Sequence, residues 1–311
     1  MIGLAQVYVV AGLAFTAFAA LSLTDASNPK RLINGAFWGL LALSMLAGDQ
    51  LGDLGNGVLV LALVALAALG LGKGSGGASE AERAGAAAHH GNRLFLLALV
   101  IPATALAGTF LFKLAPALVD PKQVTLVSLT LGVLLALACG MAVLRAAPLV
   151  PLQEGRRLMD TVGWAGILPQ MLASLGAVFA LAGVGDVVGK LMAGVIPQGS
   201  LFAAVLAYGL GMALFTMVMG NAFAAFPVMA AAIGLPLLIH QYHGDPAIVA
   251  AIGMLAGFCG TLMTPMAANF NIVPAALLDL PDRNAVVKAQ VPTALPLLAV
   301  NIMLIYWLAF P

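Results

Sequence analysis

The sequence predicts an all-α integral membrane protein of about ten transmembrane helices, with re-entrant or broken helices in its C-terminal half. Three observations carry that prediction. Hydrophobic residues make up 62% of the chain and charged residues 8%, against roughly 25% charged in soluble domains. So few charges cannot cover a soluble surface of this size. The apolar residues also fall into runs close to the ~20 needed to cross a bilayer, separated by short polar loops. Finally, Asp245 is the one formal charge across 191–278, yet that stretch is punctuated by Asn, Thr, Gly and Pro where a plain anchor would carry leucine. The net charge of +1 gives no footing for a nucleic-acid partner.

Residues 1–24 read as a retained first span, since they lack a basic leader and a small-residue cleavage site. A polar loop with Lys30 and Arg31 leads to a second span at 32–48. Asp49-Gln50-Leu51-Gly52-Asp53 turns the chain into a third, 57–72. Residues 73–92 are rich in Gly, Ser and Ala and carry His89 and His90; they read as a flexible cytoplasmic linker. The fourth span, 94–112, contains Pro102 as a kink, and the fifth is 124–144. These elements make an N-terminal five-helix bundle, 1–147. The polar stretch 148–160, with Arg156 and Arg157, is a cytoplasmic connector to a transport-type domain, 161–311.

In that second domain, Pro169-Gln170 interrupts the apolar run 161–185. This is either a broken helix with a polar group aimed inward or a simple proline kink. Residues 184–196 put their apolar side chains on one helical face, with Asp186 and Lys190 on the other. That pattern suits a helix lying on the membrane surface. Spans at 200–219 and 221–239 follow. The loop holding His240, His243 and Asp245 is too short for a closed four-ligand metal site, and no metal is assigned. A ninth span covers 246–264, a broken segment runs on to Asp279, and the tenth span is 291–310. The uncharged run 246–278 is long for one crossing and short for two.

The bases set an orientation. With Met1 outside, Lys30, Arg31, Lys73, Arg83, Arg93, Arg145, Arg156, Arg157, Arg283 and Lys288 fall on the cytoplasmic side. Only Lys113, Lys122 and Lys190 fall outside. Both termini are then extracytoplasmic.

The interrupted helices are the candidate site. A half-helix N-terminus exposes N–H donors and partial positive charge, which suits a carboxylate, while unwound carbonyls suit a sodium ion. Gly220 followed by Asn221 opens the eighth span as a cap or ligand contact. Gly260 and Thr261 precede Thr264-Pro265, which has the form of a helix restart with threonine as cap. Asn269 and Asn271 follow, and their amides both donate and accept. With Gln170, these residues form the predicted substrate-binding set. Met219, Phe223 and Pro227 recur at one constant spacing as Met266, Phe270 and Pro274, a trace of a repeat. No buried acid in this stretch offers a proton relay, and no nucleophile, acid–base pair or metal motif points to an enzyme.

The segments Gly220-Asn221-Ala222-Phe223-Ala224-Ala225-Phe226-Pro227 and Gly260 through Asn271 resemble a bacterial membrane-protein family long known only as a domain of unknown function. Its members are identified with the larger subunit of a two-component 5-oxoproline (pyroglutamate) transporter. The resemblance covers the whole chain and is most specific from about Thr161 onward. It implies a smaller integral partner subunit. It also implies distant kinship with the ion-transporter superfamily, whose carriers place Asn and Thr at the tips of paired re-entrant hairpins. Here only one convincing set of breaks is visible; either the partner supplies the other, or Pro169-Gln170 is its remnant.

The expected function is therefore a secondary transporter subunit, a permease of the bacterial inner membrane. It would move a small carboxylate such as 5-oxoproline, coupled to Na+ or H+, with no other cofactor. It would work in the lipid bilayer as a homo- or hetero-oligomer. The alternative is a scaffold subunit whose polar breaks serve helix packing alone.

Overall fold

A computed structural model describes the chain except residues 74–79, 116, 198 and 311, and the side chains of residues 80, 82, 83, 86, 169, 170 and 173. The described residues are helical, with one isolated bridge between Ile2 and Val119. Seven helices are long and apolar enough to cross a membrane, or eight if one bent pair forms a single crossing. Many large apolar side chains, among them Leu61, Phe95, Leu214, Val218 and Trp307, lie on the surface. Water would not tolerate that much exposed apolar area, whereas acyl chains solvate it. The protein is a multi-pass membrane protein.

The chain divides into two compact units, Met1–Gly163 and Trp164–Pro311. The first holds α1 (Leu4–Thr24), α2 (Arg31–Leu69), α3 (Glu80–His90), α4 (Arg93–Leu114), α5 (Val124–Leu144) and α6 (Val150–Val162). Helix α2 doubles back at Gly52, whose backbone (φ 62°, ψ −178°) is one that favours glycine. The Lys30 ammonium donates to the carbonyls of Leu69 (2.7 Å) and Gly70 (3.0 Å), joining the two ends. The Asn34 amide pairs with both backbone groups of Gly72. The predicted second and third spans are thus the arms of one hairpin, and the predicted turn 49–53 contains its bend. α1 runs antiparallel to the first arm, with Gly12 against Leu46 and Gly35 against Leu23. α4 and α5 meet through Gly108 against Ser128 and Gly132 against the Ile101 backbone.

Two expectations change here. The linker predicted at 73–92 contains a helix, α3, because its Ala-rich, Glu-led half has high helix propensity. The connector predicted at 148–160 is also helical: Pro151 sits in the first turn of α6, and its polar and apolar faces are well separated.

A 3-10 turn, Gly163–Ile167, opens into the second unit. It holds α7 (Leu168–Leu181), α8 (Val184–Ala193), α9 (Leu201–Met219), α10 (Ala222–Met229), α11 (Pro246–Leu262), α12 (Ile272–Leu277) and α13 (Ala285–Leu308). Pro169 lies in the first turn of α7, where its missing N–H costs nothing, so the break precedes the helix instead of kinking its middle. The helical path from α7 to α8 bends by 66° between Leu181 and Val184. Gly185 and Gly189 press against the backbone of Val228 and Ala232, which splits the predicted apolar face between protein contact and exposure.

α10 continues as a wider π-helix over Ala230–Gln241. Pro236 lies within it, and the looser winding accommodates a residue that cannot complete an α-helical ladder. The core of this unit is built on small-residue seams. On α11, Gly253, Gly257 and Gly260 face Tyr208, Met212 and Ala213 of α9 so closely that a Cβ at Gly260 would strike the Ala213 carbonyl. Without a hydrophobic drive between helices in lipid, such close backbone approach supplies the dispersion energy of association.

Candidate functional site

Two helix breaks meet in the second unit. α9 stops at Gly220, which adopts a left-handed conformation (φ 74°) and donates its N–H to the Thr216 carbonyl at 2.7 Å. A Cβ at Gly220 would lie 2.5 Å from the Met266 carbonyl oxygen, so glycine is required twice over. Asn221 is extended and caps α10, its Oδ1 accepting the Phe223 N–H at 2.8 Å. Its Nδ2 donates to no described residue.

The second break follows α11. Thr264 Oγ1 donates to the Met217 carbonyl (2.8 Å) and accepts the Met266 N–H (3.2 Å), tying this loop to the end of α9. Asn271 is fully buried and donates to the carbonyls of Thr261 (2.9 Å) and Thr264 (2.6 Å), orphaned where α11 ends. The Thr261 hydroxyl donates to the Phe258 carbonyl. Residues 263–271 are therefore an unwound stretch whose backbone finds partners inside the protein, the condition for irregular chain at membrane depth.

Between the breaks lies a cavity of about 170 Å³, lined by Gly220, Asn221, Phe223, Phe258, Thr261, Asn269 and Phe270. The Phe258 ring meets Phe223 edge-on at 5.7 Å and Phe270 at 6.4 Å. No lining residue is charged. The two asparagine amides supply its polar recognition, and Asn269 bonds to no described residue. A larger hollow of about 580 Å³ beside α8 and α9 has an entirely apolar lining, with nothing to orient a solute.

Of the predicted residues, Gly220, Asn221, Thr261 and Asn269 line the cavity, while Thr264 and Asn271 brace it from behind. Gly260 serves the α9–α11 seam, and Pro265 is exposed. The Thr264-Pro265 restart is corrected. That pair forms a turn, and the helix resumes at Ile272: the Thr264 hydroxyl accepts the Met266 N–H and donates to Met217, while Asn271 takes up the carbonyls of Thr261 and Thr264. Gln170 lies on α7, and its side chain is outside the described residues. Sequence reasoning missed the three phenylalanines. The repeat already paired Phe223 with Phe270; nothing marked Phe258.

It also missed a polar cluster in the first unit. The Trp38 indole N–H donates to Asp160 Oδ1 at 2.7 Å, and both residues are buried. Arg156 contacts Asp25 at 2.8 Å and Asp160 at 3.7 Å. The hydroxyl of Ser27, followed by Arg156, holds the Asp25 carboxyl below its usual range. Desolvation raises that of Asp160 against the opposing pull of Trp38, Asn34 and Arg156. Among the described residues, no group of three or more His, Cys, Asp or Glu could hold a metal ion.

The model of a family described as "Protein of unknown function (DUF979)" matches residues 5–310. The chain belongs to that family. No curated protein and no solved structure matches it. The match spans both compact units.

Proposed function

We propose that the protein is the larger subunit of a secondary transporter of the bacterial inner membrane, and that the cavity between the two helix breaks holds its solute. The observation that carries this reading is the meeting of two interrupted helices around a cavity bearing the amides of Asn221 and Asn269. About 170 Å³ is below the roughly 300–1,000 Å³ of sites for drug-sized ligands, so the solute is small. Asparagine amides match a compound that both donates and accepts. The first N–H groups of α10 favour a carboxylate. A cyclic amide acid such as 5-oxoproline has a ring N–H, a ring carbonyl and a carboxylate, and its apolar ring edge suits the phenylalanine wall.

In this reading each arm of α2, the bent α7–α8 pair and α11 are crossings, giving about ten, with both termini outside and a smaller subunit completing the carrier. Uptake of labelled 5-oxoproline is expected in cells carrying the gene with its partner. It should fall at least tenfold on Asn221→Ala or Asn269→Ala with the protein still present in the membrane. Equal uptake with and without the gene would remove the substrate. The scaffold reading draws on Thr264 and Asn271, whose polar groups serve the fold; transport untouched by both cavity substitutions would favour it.

A further inference from the structure

The residues that line the cavity include no group that can carry a proton, but the first unit has one. Two carboxylates, Asp25 and Asp160, share one guanidinium, that of Arg156. With all three ionised the cluster carries a net charge of −1, with Asp160 at its buried end, and one bound proton makes it neutral. Arg157 does not relieve the excess, since it pairs with Glu154 at 2.8 Å. The other neighbours among the described residues are uncharged: Trp38 and Asn34 on α2, and Phe18 of α1 packed against Gly155.

Geometry also selects the carboxylate that takes the proton. The Asp25 side chain is 14% exposed, lies 2.8 Å from Arg156 and receives the Ser27 hydroxyl. The Asp160 side chain is 3% exposed, lies 3.7 Å from Arg156, and its Oδ2 has no hydrogen-bond partner. The buried, weakly paired oxygen is the one that gains by protonation.

We propose that Asp160 is a proton-binding site, with protonation at Oδ2 leaving Arg156 wholly to Asp25, and that this proton is the ion coupled to solute movement. The second half of the proposal rests on the carrier reading above. The proton comes from bulk water and returns to it. Asp160 lies on the last turn of α6, next to Gly163, whose positive φ (63°) starts the chain into the second unit.

Trp38 is a built-in reporter, because its indole donates to the titrating group. Trp164→Phe and Trp307→Phe leave it as the sole tryptophan of the three. In that full-length background, Trp38 emission should titrate as one proton with a midpoint above ~3.9, the ordinary aspartate value. Asp160→Asn should abolish the transition, and Asp25→Asn, which leaves one carboxylate per guanidinium, should move the midpoint down. A flat profile, a transition that survives Asp160→Asn, or a midpoint unmoved by Asp25→Asn would overturn the site. Should Asp160→Asn not fold, the Asp25→Asn shift decides alone.

Coupling is read in vesicles containing both subunits and labelled 5-oxoproline. A pH gradient should drive uptake by the parent protein, while Asp160→Asn equilibrates the solute but ignores the gradient. Gradient-driven uptake by Asp160→Asn would overturn the coupling. No uptake by either protein would sink the 5-oxoproline reading and leave the proton site standing on the Trp38 titration.

Discussion

Asn269 and Asn271 sit two positions apart and have opposite duties. Asn271 satisfies two carbonyls that have no water to turn to, and leaving a buried acceptor unpaired costs about 1–3 kcal/mol each. Asn271→Ala is therefore expected to destabilise the protein by a few kcal/mol, read as a lower midpoint of thermal unfolding in detergent. Asn269→Ala should leave that midpoint in place and remove solute binding instead. Gly220→Ala adds a Cβ against the Met266 carbonyl in a left-handed conformation. The backbone term alone costs about 1–2 kcal/mol, and the collision adds to it; loss of folded protein in the same assay is the expected outcome. Sequence pattern alone could not separate these roles. Asparagine beside glycine and proline marks a break, but which amide turns to the backbone and which to the cavity depends on where the chain resumes its helix.

Among the elements, α6 responds to pH through two carboxylates of opposite sense. Asp25 is lowered, so it contributes stability above its unfolded pKa that is lost as pH falls through its folded value. Asp160 is raised, so its favourable contribution exists below its unfolded pKa and is lost as pH rises through the folded value. Asp160→Asn should then melt higher than the parent protein at neutral pH, with the two curves converging in acid. Helix packing has its own test. Gly257 lies against Met212, Ala222 and Thr216, so Gly257→Leu should part α9 from α11 and lose the folded protein, whereas Gly57→Ala, at a glycine with open space around it, should not. The long apolar helices were legible because hydropathy and length alone define them; 124–144 is found as read. α3 and the helical connector were not, because a polar amphipathic helix and a polar loop share one composition.

At the scale of the whole molecule, the bias of basic residues predicts sidedness. In a background lacking Cys139 and Cys259, a cysteine at Asp53 should react with an impermeant maleimide from outside. One at Asp282 should react only after the membrane is opened; the reverse pattern would invert the chain. The division into two compact units puts the cavity in one and the carboxylate cluster in the other. Composition pointed to the first, as a charge-free stretch punctuated by asparagine. It hid the second, since Asp160 is far in the chain from Asp25 and Trp38 and only folding brings them together.

Helix α11 has 17 residues, about 25 Å at 1.5 Å per residue, whereas the hydrocarbon slab is ~30 Å thick. As the crossing that the carrier proposal makes it, such a rod must either draw the lipid surface toward its tip or leave its last carbonyls inside the oil, where Asn271 meets them. On the carrier proposal, both would shorten the dry distance a solute travels past Thr261. The bilayer around this protein should therefore be pinched on that side, and lipids with longer tails should slow passage by stretching the gap.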